Sequence, residues 1–352
     1  MNNTSQILSK GQVIDDKYTV AFFLKKGSYA ETYRVIDKEK KTKLLKLFCY
    51  SKLSRTQFDV NDDVLEIEIL KTLNHPNIVR LRDSGNVLLE NQKYAYAILD
   101  FISGETLAER MKRDQNFSQE DAKDIVLGVL NGVNYLHNQT NPLVHNDITN
   151  LNVMLDLSSQ ISIPKIIDFG YARYLSQSNK DFQKEGLNPF YSANETFNKV
   201  FSVQSDIFSI GALYYHLLVG LPPWFVEISK FKSDTIKLED AILKEREKPL
   251  RVVNSDSKID SNTFNIILKA LQPNAENRFK NIKEFIQAIN GEFEVQNPVY
   301  EKSENQNQTL KSVKKGEGFS SIAGMQELKE TIKLDVIDAL NEKEKIRKDK
   351  FN

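Results

Sequence analysis

Two short polar strings, each joined to apolar, strand-like residues, constrain this chain more than any other feature. The first reads HNDITNLN at positions 145–152 and precedes an apolar run; the second reads DFG at positions 168–170 and follows one. This pattern predicts Asp147, Asn152 and Asp168 on turns at the ends of short strands, facing the same side. Two carboxylates and an amide suit phosphoryl transfer, in which one carboxylate orients the attacking hydroxyl and the other groups hold Mg²⁺ against the phosphates.

The two strings resemble the H-R-D-x-x-x-x-N and D-F-G motifs of the protein kinase family. The resemblance implies that Asp147 orients the substrate hydroxyl and accepts its proton, and that Asn152 and Asp168 bind Mg²⁺. For either string alone, the alternative is an Asp-containing turn that caps a strand. Both strings in this order, together with the motifs below, favour the kinase interpretation.

The length and composition of the chain limit its number of domains, its kinds of partner and its cellular compartment. With 352 residues the chain is long for a single core, so we expect two lobes or domains. Its 48 basic and 48 acidic residues cancel, which gives no sign of a nucleic-acid or membrane-surface binder. The single cysteine, Cys49, cannot form an intrachain disulfide and the polar N-terminus has no signal-peptide core, so we expect a cytoplasmic protein. The most apolar run, 207–221, is too short to span a bilayer and predicts a buried helix.

A glycine-containing hairpin is predicted after the first strand, 18–24. A glycine lets backbone N–H groups approach phosphates, because no Cβ stands in the way. Compared with the family pattern G-x-G-x-x-G-x-V, Lys25 replaces the first glycine, Gly27 keeps the second, Ala30 replaces the third and Thr32 replaces the valine. By itself this string fits an ordinary hairpin, and its position before the next element favours a phosphate cover. The residues assigned to that cover are Leu24, Lys25, Lys26, Gly27, Ser28, Tyr29, Ala30, Glu31 and Thr32.

A lysine on the next strand and a glutamate on the next helix complete the predicted phosphate site. The strand 43–48 alternates, so Lys43 and Lys46 point to opposite faces. Lys46 fits the family lysine that contacts the α- and β-phosphates. In the predicted helix 62–73, Glu66 shares the inward apolar face and therefore needs a cationic partner, for which Lys46 is the candidate.

The segment after the next predicted hairpin resembles the hinge between the two kinase lobes. By position in the family pattern, the backbone of Asp100 and Ile102 is expected to bond the adenine edge of ATP, with Leu99 as the gatekeeper.

The landmarks of the larger lobe follow in order. NPFYSANE at 188–195 resembles the family's T-P-x-Y-x-A-P-E, and DIFSIG at 206–211 resembles D-V-W-S-L-G and opens an apolar helix that Gly220 ends. The string NAENR resembles the late D-P-x-x-R turn, whose arginine, here Arg278, is expected to pair with Glu195.

The resemblance implies an α+β, bilobal protein-kinase-like fold with a small β-rich N-lobe, a larger helical C-lobe and a helical C-terminal extension. The expected boundaries are an N-terminal extension at 1–17, a kinase domain at 18–291 with its N-lobe at 18–101 and its C-lobe at 102–291, a polar linker at 292–317 and a last segment at 318–352.

The last segment, 318–352, resembles the opening of an AAA+ ATPase module, F-x-D-I-x-G-x-x-x-x-K with its first amphipathic helix. No G-x-x-x-x-G-K-[ST] loop follows before the end of the sequence, so this segment alone is not expected to bind nucleotide. The alternative is a charged helical tail. If the AAA+ interpretation is right, the chain is a piece of a longer protein and associates with an AAA+ ATPase module, for which the kinase fold could serve as a regulatory sensor.

Two departures from the family pattern bear on activity. Asn146 stands where the family has an arginine that reads a phosphate on the activation segment, so we expect activity that does not depend on that phosphorylation. Thr149 replaces the lysine with which Ser/Thr kinases touch the γ-phosphate, and it does not match the alanine of tyrosine kinases either. We expect an ATP- and Mg²⁺-dependent protein kinase acting on Ser/Thr of a protein substrate, with no nucleic-acid or membrane partner; the alternative is a nucleotide-binding pseudokinase that serves as a scaffold.

Overall fold

The N-lobe is built on one antiparallel sheet, and the lobe below it is mainly helical. The computed structural model describes residues 6–27, 29–114, 117–177, 186–231, 234–250 and 259–296. Six strands form the sheet in the order β1-β2-β3-β4-β6-β5. They are β1 Val13–Ile14, β2 Tyr18–Lys26, β3 Ala30–Ile36, β4 Thr42–Cys49, β5 Leu81–Leu89 and β6 Gln92–Asp100. The first helix, α1 (Leu65–Thr72), lies against this sheet. The α+β, bilobal fold expected from the sequence is confirmed.

Alternation along β4 decides which face of the sheet each of its side chains occupies. Leu45 and Leu47 are fully buried in a tyrosine-rich cluster on one face. Phe48 belongs to a second cluster on the other face, which includes Ile67 of α1. Because side chains alternate with a period of two, Lys46 shares the face of Phe48 and points toward α1.

The N-terminal residues that were expected to form a separate extension belong to the N-lobe. Leu8 is fully buried in the tyrosine-rich cluster, and its N–H donates to the Tyr33 hydroxyl at 3.0 Å. Strand β1 pairs with β2, with Ile14 opposite Tyr18. The described residues from 6 onward therefore pack on the N-lobe, and the domain boundary at residue 18 stays a prediction. Apolar side chains scattered in a polar segment show no periodicity until the sheet offers them a face.

Two other N-lobe boundaries differ from the sequence expectation. Helix α1 begins at Leu65 rather than at 62, because Asp62 adopts a left-handed backbone (φ 63°) in a turn before the helix. The sequence predicts a hairpin of strands 87–89 and 94–99 across a four-residue turn, whereas β5 and β6 are longer and turn over two residues only. These residues, Glu90 and Asn91, both have positive φ (47° and 62°), as the tight turn of a twisted hairpin requires.

The C-lobe consists of helices with short strands beside the two polar strings. The helices are α2 Leu107–Arg113, α3 Gln119–His137, α4 Val203–Val219, α5 Thr235–Glu245, α6 Ser261–Ala270 and α7 Ile282–Ile289. The strands are β7 Gly104–Thr106, β8 Leu143–Val144, β9 Val153–Asp156, β10 Ile163–Ile166 and β11 Arg173–Tyr174. They pair as a three-stranded sheet, β10-β9-β7, and as the ladder β11-β8. The first polar string thus connects β8 to β9, and the second connects β10 to β11.

Helix α4 is the buried axis of the C-lobe, as its apolar sequence predicts. All its residues from 205 to 219 are buried. Gly220 follows in the left-handed conformation (φ 79°) and its N–H donates to the carbonyl of His216, which ends the helix.

Residues just past the predicted domain end at 291 contact the C-lobe. The linker was expected to begin at 292, but Val295 is buried in the C-lobe core and its carbonyl accepts a hydrogen bond from Asn265 Nδ2 at 3.1 Å. The rest of the predicted linker and the whole AAA+-like segment, 318–352, lie outside the described residues. Among the residues that are described, no helix has both the length and the apolar character needed to cross a membrane.

Candidate active site

Lys46 lies between two carboxylates in the cleft. Its Nζ contacts Oε1 and Oε2 of Glu66 at 2.8 and 3.0 Å, and Oδ1 of Asp168 at 3.2 Å. The ion pair expected between Lys46 and Glu66 is therefore present, and Asp168 joins it from the C-lobe. This contact fixes the sheet, α1 and the second polar string relative to one another.

The charges of Lys46 and Asp168 are maintained despite burial, whereas burial raises the pKa of Glu66 above its ordinary value. Burial opposes the ammonium of Lys46, yet the charges of Asp168 and Glu66 raise its pKa above the ordinary value. Burial opposes the ionised form of Asp168 as well, but the charge of Lys46 outweighs it and holds the pKa of Asp168 well below its usual range. A cation and an anionic oxygen therefore face the cleft at neutral pH.

Asp147 and Asn152 form a second unit in the first polar string. The amide Nδ2 of Asn152 donates to Oδ2 of Asp147 at 2.6 Å and to its main-chain carbonyl at 3.0 Å. Burial, and next the charge of Asp168, raise the pKa of Asp147 to about 7, against the hydrogen bond from Asn152. A carboxylate tuned to this value can accept a proton near neutral pH.

Asp206 holds the first polar string in place, a role that the sequence analysis missed. The fully buried carboxylate accepts hydrogen bonds from the N–H of His145 at 2.9 Å and of Asn146 at 2.8 Å, and it contacts Nε2 of His137 at 2.8 Å. Asn146 adopts a left-handed backbone (φ 67°) that turns its N–H toward the same carboxylate. The signal was available, because a carboxylate on a helix apolar on all sides must find several donors.

The second polar string is anchored by its aromatic residue. Phe169 is fully buried and packs edge-to-face on the ring of His145, with ring centroids 5.0 Å apart. The N–H of Gly170 donates to Oδ1 of Asp168 at 3.0 Å. The two polar strings are thus locked to each other, and the carboxylate of Asp168 is held toward Lys46.

A cavity of about 530 Å³ lies between the lobes. The residues lining it that the sequence had assigned to the site are Lys25, Lys26, Gly27, Tyr29, Ala30, Thr32, Lys46, Glu66, Asp147, Asn152 and Asp168. Ser28 lies outside the described residues. This volume fits a nucleotide-sized ligand or part of one.

Four of the assigned residues do not line this cavity: Leu24, Glu31, Asp100 and Ile102. The carboxylate of Glu31 is buried on the other face of the sheet, where it accepts a hydrogen bond from the N–H of Ile7 at 2.9 Å. Glu31 faces away from the cavity because neighbouring residues of a strand face opposite sides, and its place in the phosphate cover stays a prediction. Leu24 is exposed on β2.

The two hinge residues lie beyond the wall of the cavity. The N–H of Asp100 donates to the carbonyl of Arg80 at 3.0 Å, so of its two main-chain polar groups only the carbonyl could bond adenine. Its carboxylate pairs with Lys43 at 2.9 Å and with Arg82. Ile102 is buried. The adenine contacts of both residues stay a prediction.

Residues 18–289 match the family model described as a protein kinase domain. The chain belongs to the protein kinase family. The two polar strings, the cleft lysine and the buried C-lobe helix all lie within the matched residues.

Curated relatives of this kinase domain come from bacteria and from protozoa. The chain is 28% identical over 223 residues to the "Probable serine/threonine-protein kinase PknB" of Bifidobacterium longum (strain NCC 2705), a match covering 59% of this chain and 31% of the relative. It is 31% identical over 222 residues to "Calcium-dependent protein kinase 4" of Plasmodium berghei (strain Anka), covering 62% of this chain and 40% of the relative. It is 29% identical over 205 residues to "Calcium-dependent protein kinase 3" of Plasmodium yoelii yoelii, covering 58% and 36%. The chain thus spans between about a third and two fifths of the length of the relatives that it matches.

The kinase's activation segment is fixed at both described ends. At its start, the side chain of Asn146 donates to the carbonyl of Tyr171 at 3.0 Å. At its end, Glu195 forms a two-point ion pair with Arg278, as expected, and Asn194 accepts a hydrogen bond from Arg246 at 2.7 Å. The middle of the segment, 178–185, lies outside the described residues.

The oxygens at the end of the cleft fit a magnesium ion. Asp168 is ionised, and because Nδ2 of Asn152 is directed at Asp147, the carbonyl oxygen of that amide is left for a ligand. One carboxylate and one amide oxygen suit Mg²⁺, which prefers oxygen ligands and is bound beside phosphates by only one or two carboxylates.

Proposed function

We propose that this kinase domain transfers the γ-phosphoryl group of ATP to Ser or Thr hydroxyls of proteins. The observation that carries the proposal is the joint placement of Lys46, between Glu66 and Asp168, and of the Asp147–Asn152 pair in one cleft. The names of the bacterial and protozoan relatives, which are protein kinases, support it. A protein substrate and a Ser/Thr preference are part of the proposal.

Each group in the cleft has a defined task in this reaction. Lys46 binds phosphate oxygens, and Glu66 keeps its ammonium directed at them. Asp147 orients the substrate hydroxyl and accepts its proton as the new oxygen–phosphorus bond forms. Asp168 and Asn152 would hold Mg²⁺, which when bound neutralises charge on the phosphates. Most of the catalytic effect comes from positioning and electrostatics, because the phosphoryl group moves without a covalent enzyme intermediate.

A pseudokinase scaffold is the less favoured function. Such a scaffold has no physical need for an inward glutamate on the cleft lysine or for a proton acceptor with a pKa near neutral. Here both are present in one cavity. The hinge contacts, the catalytic-domain boundary at 291, the cytoplasmic location and the attachment to an AAA+ module stay predictions, the last because 318–352 lies outside the described residues.

The test is transfer of label from γ-labelled ATP with Mg²⁺, with the chain alone and with a basic protein as acceptor. The comparison is Lys46→Met, and the matched control is Lys38→Met, an exposed lysine at the far end of the β3–β4 hairpin. We expect label on Ser or Thr with the wild type and the control but not with Lys46→Met. Label on tyrosine alone would refute the Ser/Thr assignment. A thermal shift with Mg-ATP without any transfer, to the chain itself or to several acceptor proteins, would favour the scaffold.

A further inference from the structure

The floor of the cleft beside the catalytic carboxylate carries an uncharged residue, Thr149, and the two basic C-lobe side chains that line the same cavity, Lys112 and Arg173, are engaged in contacts of their own. Thr149, two positions after Asp147, lines the same cavity and is buried. Its hydroxyl has no hydrogen-bond partner among the described residues. A triphosphate is strongly anionic, and the charge on the transferred group must be matched by positive charge in the transition state. Thr149 itself offers none.

Lys46 alone is poorly placed to supply all of that charge. Its ammonium is shared between Glu66 and Asp168, so much of its charge is already balanced within the cluster. Lys26 in the hairpin is likewise engaged, with its Nζ 3.4 Å from Oε1 of Glu31.

Lys25 is different from both of these lysines. It is exposed and lines the cavity, yet its ammonium has no hydrogen bond or ion pair with any residue that the structure describes. It stands on β2 opposite Thr32 of β3, at the start of the loop that covers the cleft. Side chains alternate along the strand, so the neighbouring Leu24 points the other way and is exposed to solvent outside the cavity.

Strand pairing puts Lys25 on the cleft side of the sheet, because Thr32, which stands opposite Lys25, also stands opposite Lys46. After the larger effects of burial and of Lys46, the charge of Lys25 helps to lower the pKa of Asp168. It also acts on Asp147, where it opposes the rise caused by burial and by Asp168. Lys25 therefore lies close enough to act on the two carboxylates that flank the position of the transferred group.

We propose that Lys25 is a catalytic residue whose ammonium contacts the γ-phosphoryl group from the loop side and supplies the cation that is absent at Thr149. This rests on the proposed kinase function. In the step concerned, the substrate hydroxyl oxygen bonds to the γ-phosphorus, the bond from that phosphorus to the bridging oxygen breaks and ADP leaves with the electron pair. The hydroxyl proton passes to Asp147. Lys25 balances charge on the equatorial oxygens during this transfer.

The test compares four variants with the wild type. They are Lys25→Gln, Lys25→Arg, the double variant Lys25→Gln/Thr149→Lys and, as the matched control, the exposed Lys38→Gln on the far end of the same lobe. We expect Lys25→Gln to lower kcat by about 100-fold, as for the loss of one donor to a transition-state oxygen. Lys25→Arg should retain most of kcat because it keeps the charge, and Lys38→Gln should match the wild type.

Moving the charge to the floor provides the sharpest comparison. If the role of Lys25 is to place a cation at the γ-phosphoryl group, the double variant should regain at least about tenfold of the kcat lost in Lys25→Gln. A role of Lys25 in folding the loop would not be restored by a lysine on the floor. Without any regain, and with Lys25→Arg as slow as Lys25→Gln, the charge role is wrong.

Nucleotide affinity provides a readout that does not require turnover. By calorimetry, Lys25→Gln should weaken a non-hydrolysable ATP analogue while leaving ADP affinity unchanged, because only the analogue carries a γ-phosphate. The proposal for Lys25 would be overturned if the ratio of the affinity for the ATP analogue to the affinity for ADP were the same in the wild type and in Lys25→Gln, and kcat were unchanged. If the wild type transfers no phosphate at all, the proposed function is wrong, and the affinity ratio alone then decides whether Lys25 contacts the γ-phosphate.

Discussion

Arg278 and Glu195, 83 positions apart in the sequence, form a two-point ion pair beneath the end of the activation segment, with N–O distances of 2.6 and 2.9 Å. The guanidinium is almost fully buried, and its remaining N–H groups donate to the carbonyls of Gln272, Gln204 and Pro273. Every donor of this buried cation therefore has an acceptor, and Glu195 is the only one that carries charge.

Removing the charge of Glu195 should therefore strongly destabilise the C-lobe. We expect Glu195→Gln to lower the free energy of unfolding by about 3 kcal/mol, because it leaves a buried guanidinium without its counter-ion. The measurement is chemical denaturation followed by circular dichroism. The exposed Glu276→Gln on the neighbouring turn is the matched control and should change stability by less than about 0.5 kcal/mol. Equal stability of the two variants would show that the pair contributes nothing.

Asp206 should make stability depend on pH in a definite direction. Burial opposes its ionised form, but the hydrogen bond and charge of His137, with further help from His145, hold the pKa of Asp206 below its ordinary value. A carboxylate whose pKa is lower in the folded state stabilises the fold above its unfolded pKa of about 4, and this stabilisation is lost as the pH falls through the folded pKa.

Asp206→Asn should accordingly lower the melting temperature at neutral pH and lose that effect in acid. An amide leaves at least one of the donors from His145, Asn146 or His137 unsatisfied, at about 2 kcal/mol. In thermal scans, the melting temperature of the variant should lie below that of the wild type by a constant amount from pH 7 down to about pH 4. This difference should disappear between about pH 4 and about pH 3. The exposed Asp124→Asn on α3 serves as the control. A gap that widens in acid would contradict this assignment of the charge.

Asp147→Asn should separate nucleotide binding from transfer. The amide keeps the size of the side chain and its place beside Asn152, so we expect Mg-ATP affinity close to that of the wild type. The proton acceptor is lost, which should lower kcat by about 10²- to 10⁴-fold. Equilibrium binding and single-turnover transfer measure the two effects. Transfer at the wild-type rate in this variant would remove Asp147 from the mechanism.

The same residue should give the pH–rate profile an acidic limb. Because burial and the charge of Asp168 raise the pKa of Asp147 to about 7, the carboxyl is protonated below that pH and cannot accept the substrate proton. The value of kcat/KM for Mg-ATP should therefore rise with pH and level off above about pH 7. In the pH profile of kcat the acidic limb should lie at lower pH. A cation bound at Asp168 in the substrate complex offsets the negative charge that helps to raise the pKa of Asp147. A profile that is flat from pH 5 to 8 would exclude Asp147 as the titrating base.

Much of the candidate site follows from local patterns in the sequence. A period of two along β4 places Lys46 on the face of the sheet that Leu45 and Leu47 do not occupy. A period of 3.6 along α1 turns Glu66 inward. The polar strings at strand ends give Asp147, Asn152 and Asp168. These assignments need only neighbouring residues, because the face of a strand or helix is fixed by its own repeat.

Other features of the site depend on contacts between residues that are far apart in the sequence, and only the tertiary structure shows them. The sequence did not predict that Asp206 holds His145 and Asn146, 61 and 60 positions away, or that Glu31 turns from the cleft to the N-terminal segment. It assigned Lys25 to the phosphate cover as a replaced glycine, and only the packing of the two lobes brings that charge near Asp147 and Asp168. Local repeats determine which side of an element a side chain occupies; the partner it meets there is decided by how the lobes pack, because burial and charge act through space and not along the chain.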